Sequence, residues 1–244
     1  MRGITELGLA TAMVVVSLLY GCGSGSGDAG SSNGNGGSAS EVPRVPAPGA
    51  GRQVFTELAI QSGLVRTFGF MDPAGTVAEK MGSGLAAVDY DNDGDIDLYV
   101  VSGDVEPNRL FQNQGDGSFI DVAASVGLDL LHKGSGPTFA DIDNDGDLDL
   151  FVGALNGDRY YLMENRDGMF VDITAQSGIS LQALNTFSAT FCDYDLDQDL
   201  DLFLSHWGNT ERQDTETVWR NNGDGTFESD SIGSGIARSL LKAT

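Results

Sequence analysis

One acidic run occurs three times in this chain at a fixed spacing, and that repetition restricts the fold before any single residue is interpreted. It reads Asp89-Tyr-Asp91-Asn-Asp93-Gly94-Asp95-Ile-Asp97, then Asp141-Ile-Asp143-Asn-Asp145-Gly146-Asp147-Leu-Asp149, then Asp193-Tyr-Asp195-Leu-Asp197-Gln198-Asp199-Leu-Asp201, each copy beginning 52 residues after the last. A period near fifty residues marks an architecture in which one small unit recurs and buries its apolar face against the next copy.

A second signature travels with the first. Sixteen residues after the closing aspartate come Asn113-Gln-Gly115-Asp116-Gly117-Ser-Phe119 and Asn165-Arg-Asp167-Gly168-Met-Phe170. In the third unit Asn221-Asn-Gly223-Asp224-Gly225-Thr-Phe227 lies four residues further on, which places a polar surface insertion at 209–217. Each phenylalanine opens a related tail, Phe119-Ile-Asp121-Val122 or Phe170-Val-Asp172-Ile173, foreshadowed at Phe55-Thr-Glu57-Leu58. The tails close at Gly63-Leu64, Gly127-Leu128, Gly178-Ile179 and Gly235-Ile236.

Short apolar runs enter each acidic loop at 85–88, 138–140 and 188–191 and leave it at 98–101, 150–152 and 202–204. A third run, for example 159–163, precedes the Asn-Gly-Asp-Gly turn, and a fourth follows it. Aspartyl-glycine turns between apolar runs signal hairpins, and no helical period is sustained over three turns. Four strands per unit predict an all-β chain of about three four-stranded β-propeller blades. A closed propeller takes about 4–8 blades, so the expectation is an incomplete or open one, exposing strand edges that invite self-association or further C-terminal blades.

Aspartates at loop positions 1, 3 and 5 with glycine at 6 resemble the first half of an EF-hand. An EF-hand needs a bidentate glutamate at position 12, where this chain has Val100, Val152 and Leu204 inside apolar strands. What remains is a nine-residue loop closed by its last aspartate. The expected side-chain ligands are Asp89, Asp91, Asp93 and Asp97 with the carbonyl of Asp95; Asp141, Asp143, Asp145 and Asp149 with that of Asp147; and Asp193, Asp195, Asp197 and Asp201 with that of Asp199. All-oxygen sets without His or Cys favour Ca²⁺ over Mg²⁺ and zinc. Gln198 stands where the other loops have glycine, so the third of three calcium sites is expected to be the weakest.

The formal net charge is −23, and fifteen of the 36 acidic residues sit in the three loops. Bound divalent ions would relieve that local repulsion. No Lys/Arg-rich face exists to neutralise phosphates, which excludes nucleic acid as a partner.

The apolar stretch 7–20 is too short for a bilayer span, which takes about 20 residues, and suits a signal peptide over 1–21. It closes on Leu19-Tyr20-Gly21-Cys22, which resembles a bacterial lipobox and implies lipidation at Cys22. Residues 22–52, rich in Gly, Ser and Pro, then form a flexible tether with a reach of ~30 Å. The repeats occupy 53–244. Cys192, in an apolar strand, is expected to be a small buried hydrophobe.

The loop-and-turn pair resembles the FG-GAP/VCBS repeats of integrin α-subunit propellers. The step Met81-Gly-Ser-Gly84 into Asp89-Tyr-Asp91-Asn-Asp93-Gly94 is similar still more to bacterial relatives of cartilage acidic protein and the UnbV/ASPIC group. That resemblance implies propeller repeats, calcium in the loops and a role in adhesion or binding.

The expected function is therefore a calcium-stabilised, exported lipoprotein at the bacterial outer membrane or cell surface, held to the membrane by its lipid alone. Its repeats would bind a protein or glycan not identifiable from sequence. A propeller-based polysaccharide-processing enzyme fragment and a purely structural envelope scaffold are the alternatives. No catalytic residue is assigned: His132 is expected to be a solvated loop residue, and neither it nor His206 has a recognisable nucleophile near it in sequence. Trp207 and Trp219 are expected in the core.

Overall fold

The computed structural model describes residues 57–71, 75–181, 183, 185–207, 216–231 and 233. The signal segment, Cys22, the tether, Phe55, most of the insertion at 209–217 and the tail at Gly235-Ile236 lie outside the described residues. Among the described residues no helix is long and apolar enough to cross a membrane.

After a short helix α1 (Val77–Met81), the described residues form twelve strands with one further helical turn. The first four are β1 (Gly84–Val88), β2 (Asp97–Val101), β3 (Arg109–Asn113) and β4 (Phe119–Asp121), followed by α2 (Ala123–Val126). Then come β5 (Gly134–Ala140), β6 (Asp149–Ala154), β7 (Tyr161–Arg166) and β8 (Met169–Asp172). The last four are β9 (Thr186–Cys192), β10 (Asp201–His206), β11 (Thr217–Asn221) and β12 (Phe227–Ser229). Each set of four is one antiparallel meander, so the structure has the three four-stranded, propeller-like blades that the repeat predicts. Strand boundaries run wider than the apolar runs, because pairing continues through polar residues at strand ends. β7 starts at Tyr161 rather than at residue 159. The turn α2 lies in the tail, which reads as extended from its alternation alone.

The blades stack face to face through two cores. One packs Tyr99, Val101, Leu110 and Leu128 against Leu150, Val152, Met163 and Phe170. The other packs Phe151, Leu162, Ile173 and Ile179 against Leu202, Leu204, Trp219 and Phe227. The middle blade thus serves both cores, and every residue of β6 is buried. Burial on both faces is why β6 reads as a continuous apolar run instead of an alternating one.

The tails join consecutive blades. Gly127 has φ +87°, and a Cβ there would lie 2.8 Å from the carbonyl oxygen of Phe170. Gly63 against Phe119 and Gly178 against Phe227 repeat this approach, and the amides of Phe119 and Phe227 donate to Ser62 and Ser177 at 2.8 and 2.7 Å. A side chain would push the tail off the blade it packs on, hence a glycine at the close of these three tails.

Three expectations fail here. Cys192 is exposed, because β9 alternates: Phe187, Ala189 and Phe191 are half-buried while Ser188, Thr190 and Cys192 face out. His132 is not solvated but 2% exposed. Its Nδ1 donates to the Arg159 carbonyl at 2.9 Å, and its Nε2 accepts from Asn108 at 3.2 Å. Trp219 is in the core as expected, but Trp207 falls just beyond the end of β10, half exposed with its ring edge-on to Phe187 at 5.6 Å.

Candidate metal centre

Each acidic run is the connection between the first two strands of a blade, so the paired strands hold its two ends together. Within the loop the first aspartate binds the backbone that follows it. Asp89 accepts from the amides of Asp93 and Gly94, both at 3.0 Å. Asp141 and Asp193 do the same for Asp145 and Gly146 and for Asp197 and Gln198, at 3.0–3.1 Å. The fifth-position aspartates, Asp93, Asp145 and Asp197, accept from the amide two residues on at 2.8–3.1 Å.

This tight winding needs left-handed backbone at two places. Position 6 has φ +92° at Gly94, +96° at Gly146 and +82° at Gln198. Position 4 has φ +58° at Asn92, +61° at Asn144 and +67° at Leu196. Glycine and asparagine tolerate that region, whereas glutamine and especially leucine do so at a cost. The third loop therefore departs from the pattern twice, and only the Gln198 departure is anticipated from the EF-hand comparison.

The closing aspartates are the most constrained groups. Asp97, Asp149 and Asp201 are 0–1% exposed. One oxygen of each accepts from the second loop residue, Tyr90, Ile142 or Tyr194, at 3.3, 2.9 and 3.1 Å. The other accepts from the amide of Asn113, Asn165 or Asn221 at 2.7, 2.7 and 2.9 Å. The same asparagine side chains reach the preceding loop: Asn165 donates to the Tyr90 carbonyl at 3.2 Å and Asn221 to that of Ile142 at 2.8 Å. The Asn-x-Gly signature is thus the lock between acidic loops, a role that its constant sixteen-residue offset in two units hints at but does not define.

Carboxylate oxygens of Asp89, Asp91 and Asp97 converge within 4.8 Å of one another, as do those of Asp141, Asp143 and Asp149. In the third loop the converging set is Asp193, Asp195 and Asp197, without Asp201. Asp93 and Asp145 lie in their loops but outside these closest sets. The side chains of Asp147 and Asp199 turn away altogether, accepting from Asn92 at 3.3 Å and Asn144 at 3.1 Å in the preceding loops. Asp95, at the same position of the first loop, stands outside the converging set as well.

Burial and like charge strain these groups. Burial foremost, then the charges of Asp143 and Asp145, pushes the Asp149 carboxyl up to about 7 against the backbone amides that favour its charge. Asp97 and Asp201 are raised for the same first reason. Asp91 supplies the most direct test of whether a cation fits. Its Oδ2 accepts from Gln112 at 2.6 Å, while its Oδ1 is buried with no partner at all. A hard cation fits this donor set, which contains only oxygens, and would satisfy that orphan.

A family profile described as an FG-GAP-like repeat matches residues 89–152 and 143–204, each match running from one acidic loop through the next. The chain carries FG-GAP-like repeats. It is also similar to cartilage acidic protein 1 of Xenopus tropicalis and of Mus musculus, 39% identical to each over 104 residues, and to the Homo sapiens protein at 38%. Those 104 residues are 41% of this chain and 15–16% of the relatives, so it matches well under two thirds of their length. Among solved structures, an Agrocybe aegerita lectin reported for recognition of non-reducing terminal N-acetylglucosamine is 18% identical, with a TM-score of 0.36. That likeness covers 64% of this chain and 38% of the lectin.

Proposed function

We propose that this FG-GAP repeat chain is a calcium-stabilised binding module, exported and lipid-anchored at Cys22, whose stacked blades present loops to a protein or glycan at the cell surface. The observation that carries the calcium part is the buried, partnerless Oδ1 of Asp91 beside the converging oxygens of Asp89 and Asp97, a geometry whose acidic set recurs in the second loop. The first two ions would be held by Asp89, Asp91 and Asp97 and by Asp141, Asp143 and Asp149. Each supplies positive charge that offsets clustered carboxylates and holds the hairpin in shape. The third set, Asp193, Asp195 and Asp197, holds its ion most weakly. Binding, not catalysis, is favoured because His132 is consumed in the framework by Asn108 and Arg159, and His206 contacts Thr186 and Thr217 at 3.1 and 3.0 Å. The anchor rests on the Leu19-Tyr20-Gly21-Cys22 motif.

Three measurements test this. Chelation in dilute buffer lowers the melting temperature and alters the circular dichroism; an unchanged melt sinks the calcium part. Pulldown from envelope extracts recovers a partner with calcium and loses it with chelator, and equal recovery in both removes the link between metal and binding. Cys22→Ser releases the protein from the membrane fraction, and retention there overturns the anchor.

A further inference from the structure

The three loops touch one another, and always in the same direction. Asn92, at position 4 of the first loop, donates through Nδ2 to Asp147 Oδ1 at 3.3 Å and to the Gly146 carbonyl at 3.4 Å, both in the second loop. Asn144, at the same position of the second loop, donates to Asp199 Oδ1 in the third at 3.1 Å. Asp147 is held on its other oxygen by the Asp167 amide at 3.0 Å, so its carboxylate faces the neighbour instead of its own loop centre. In the third loop, position 4 is Leu196, which cannot donate and is 82% exposed.

The placement of these donors matters. Asn92 lies between Asp91 and Asp93, and Asn144 between Asp143 and Asp145, so neither asparagine can shift without moving carboxylates of its own loop. The acceptors, Gly146, Asp147 and Asp199, lie on the turn that the next loop must wind to close. Ordering of one loop therefore reaches the next through this side chain, alongside the lock that Asn165 and Asn221 provide from the neighbouring strands.

We propose that Asn92 and Asn144 couple the acidic loops, so that cation binding in one raises the affinity of its neighbour, with the relay ending at Leu196 among the described residues. This rests on the calcium reading above and adds to it a mechanism of cooperativity. Coupling between two sites is reciprocal: weakening the link must lower affinity in both loops by the same factor, not only in the loop that carries the substitution.

The test is a Ca²⁺ titration of the full chain followed by ¹⁵N–¹H NMR, with the amides of Gly94, Gly146 and Gln198 reporting the three loops separately. Asn92→Gly removes the donor but retains the left-handed backbone. It is expected to raise the calcium midpoints of the first and second loops together by about three-fold, the size of one solvent-facing hydrogen bond to a carboxylate, with the third moving least. Asn144→Gly shifts the second and third together. Leu196→Gly makes the same backbone change without removing a donor, so it tightens the third loop and does not raise the first two midpoints. If calcium binds but Asn92→Gly shifts the first loop alone, or neither, the coupling is overturned while the calcium reading stands. If no amide responds to calcium in the unsubstituted chain, the calcium reading itself falls.

Discussion

The amide of Asn165 donates to Asp149 Oδ1 at 2.7 Å, while the Ile142 amide holds the other oxygen at 2.9 Å. Asp149 is thereby both a candidate cation ligand and an acceptor that joins the end of β7 to the loop after β5. Asp143 differs: it is exposed, and its only backbone contact is a 3.3 Å bond from Asp145. Ligand and framework roles can therefore be separated.

Asp149→Asn leaves one of two buried amides without an acceptor, at a cost of about 1–3 kcal/mol. Asp143→Asn removes only charge. With calcium saturating, urea unfolding is expected to show Asp149→Asn destabilised more than Asp143→Asn, because the ion offsets the burial that raises the Asp149 carboxyl while the orphaned amide remains. Both weaken calcium binding in titration. Equal stability of the two variants in saturating calcium would refute the framework role of Asp149.

The third loop is expected to improve when its backbone residues are corrected. Gln198→Gly at φ +82° removes strain of about 1 kcal/mol, and Leu196→Asn at φ +67° acts in the same direction. Either change should raise the melting temperature in calcium and strengthen the weakest of the three binding steps. A lower melting temperature for both would contradict the strain argument.

The middle blade carries two cores, so damage to it should be global. Phe151 is fully buried between β6 and the third blade, and Phe151→Ala is expected to cost about 3–5 kcal/mol. Removing the half-exposed Trp207 ring should cost far less. Chemical denaturation of both variants gives the comparison, and a similar loss for the two would mean that the blade stack is not the stabilising unit.

Burial holds the His132 imidazole below its ordinary range, against the opposing pull of the Arg159 carbonyl and Asp158. A depressed folded-state pKa means that its stabilising contribution is present above the unfolded value of about 6.5 and is lost as pH falls through the folded value. In saturating calcium, the melting temperature of the unsubstituted chain should drop more steeply below pH 6.5 than that of His132→Gln. Parallel curves would show that His132 takes no part in the acid sensitivity.

The fifteen loop aspartates announce a repeat because their spacing is covalent, and the Asn-x-Gly turns announce hairpins because φ preferences are local. The strand ladder was legible for the same reason, down to each fourth strand at Phe119, Phe170 and Phe227. Cys192 and His132 were not legible. An alternating strand does not say which of its faces a neighbour covers, and a loop histidine does not say which distant carbonyl caps it. Asp93, Asp145 and Asp201 show the same limit at the site, since identical residue types in identical positions read as equivalent side-chain donors until the fold leaves some of them outside the converging sets.

The sequence alone determined the number of blades, their order and the chemistry of the acidic loops, because those follow from residue type and from spacing along the chain. Only the tertiary structure decided which carboxylates converge, that Asp149 is shared between ligand set and framework, and that Asn92 and Asn144 reach into the next loop. The last of these depends on residues 54–55 apart being brought within hydrogen-bond distance by blade stacking, and the first two on strand pairing that turns each loop back on itself, neither of which local preference sets.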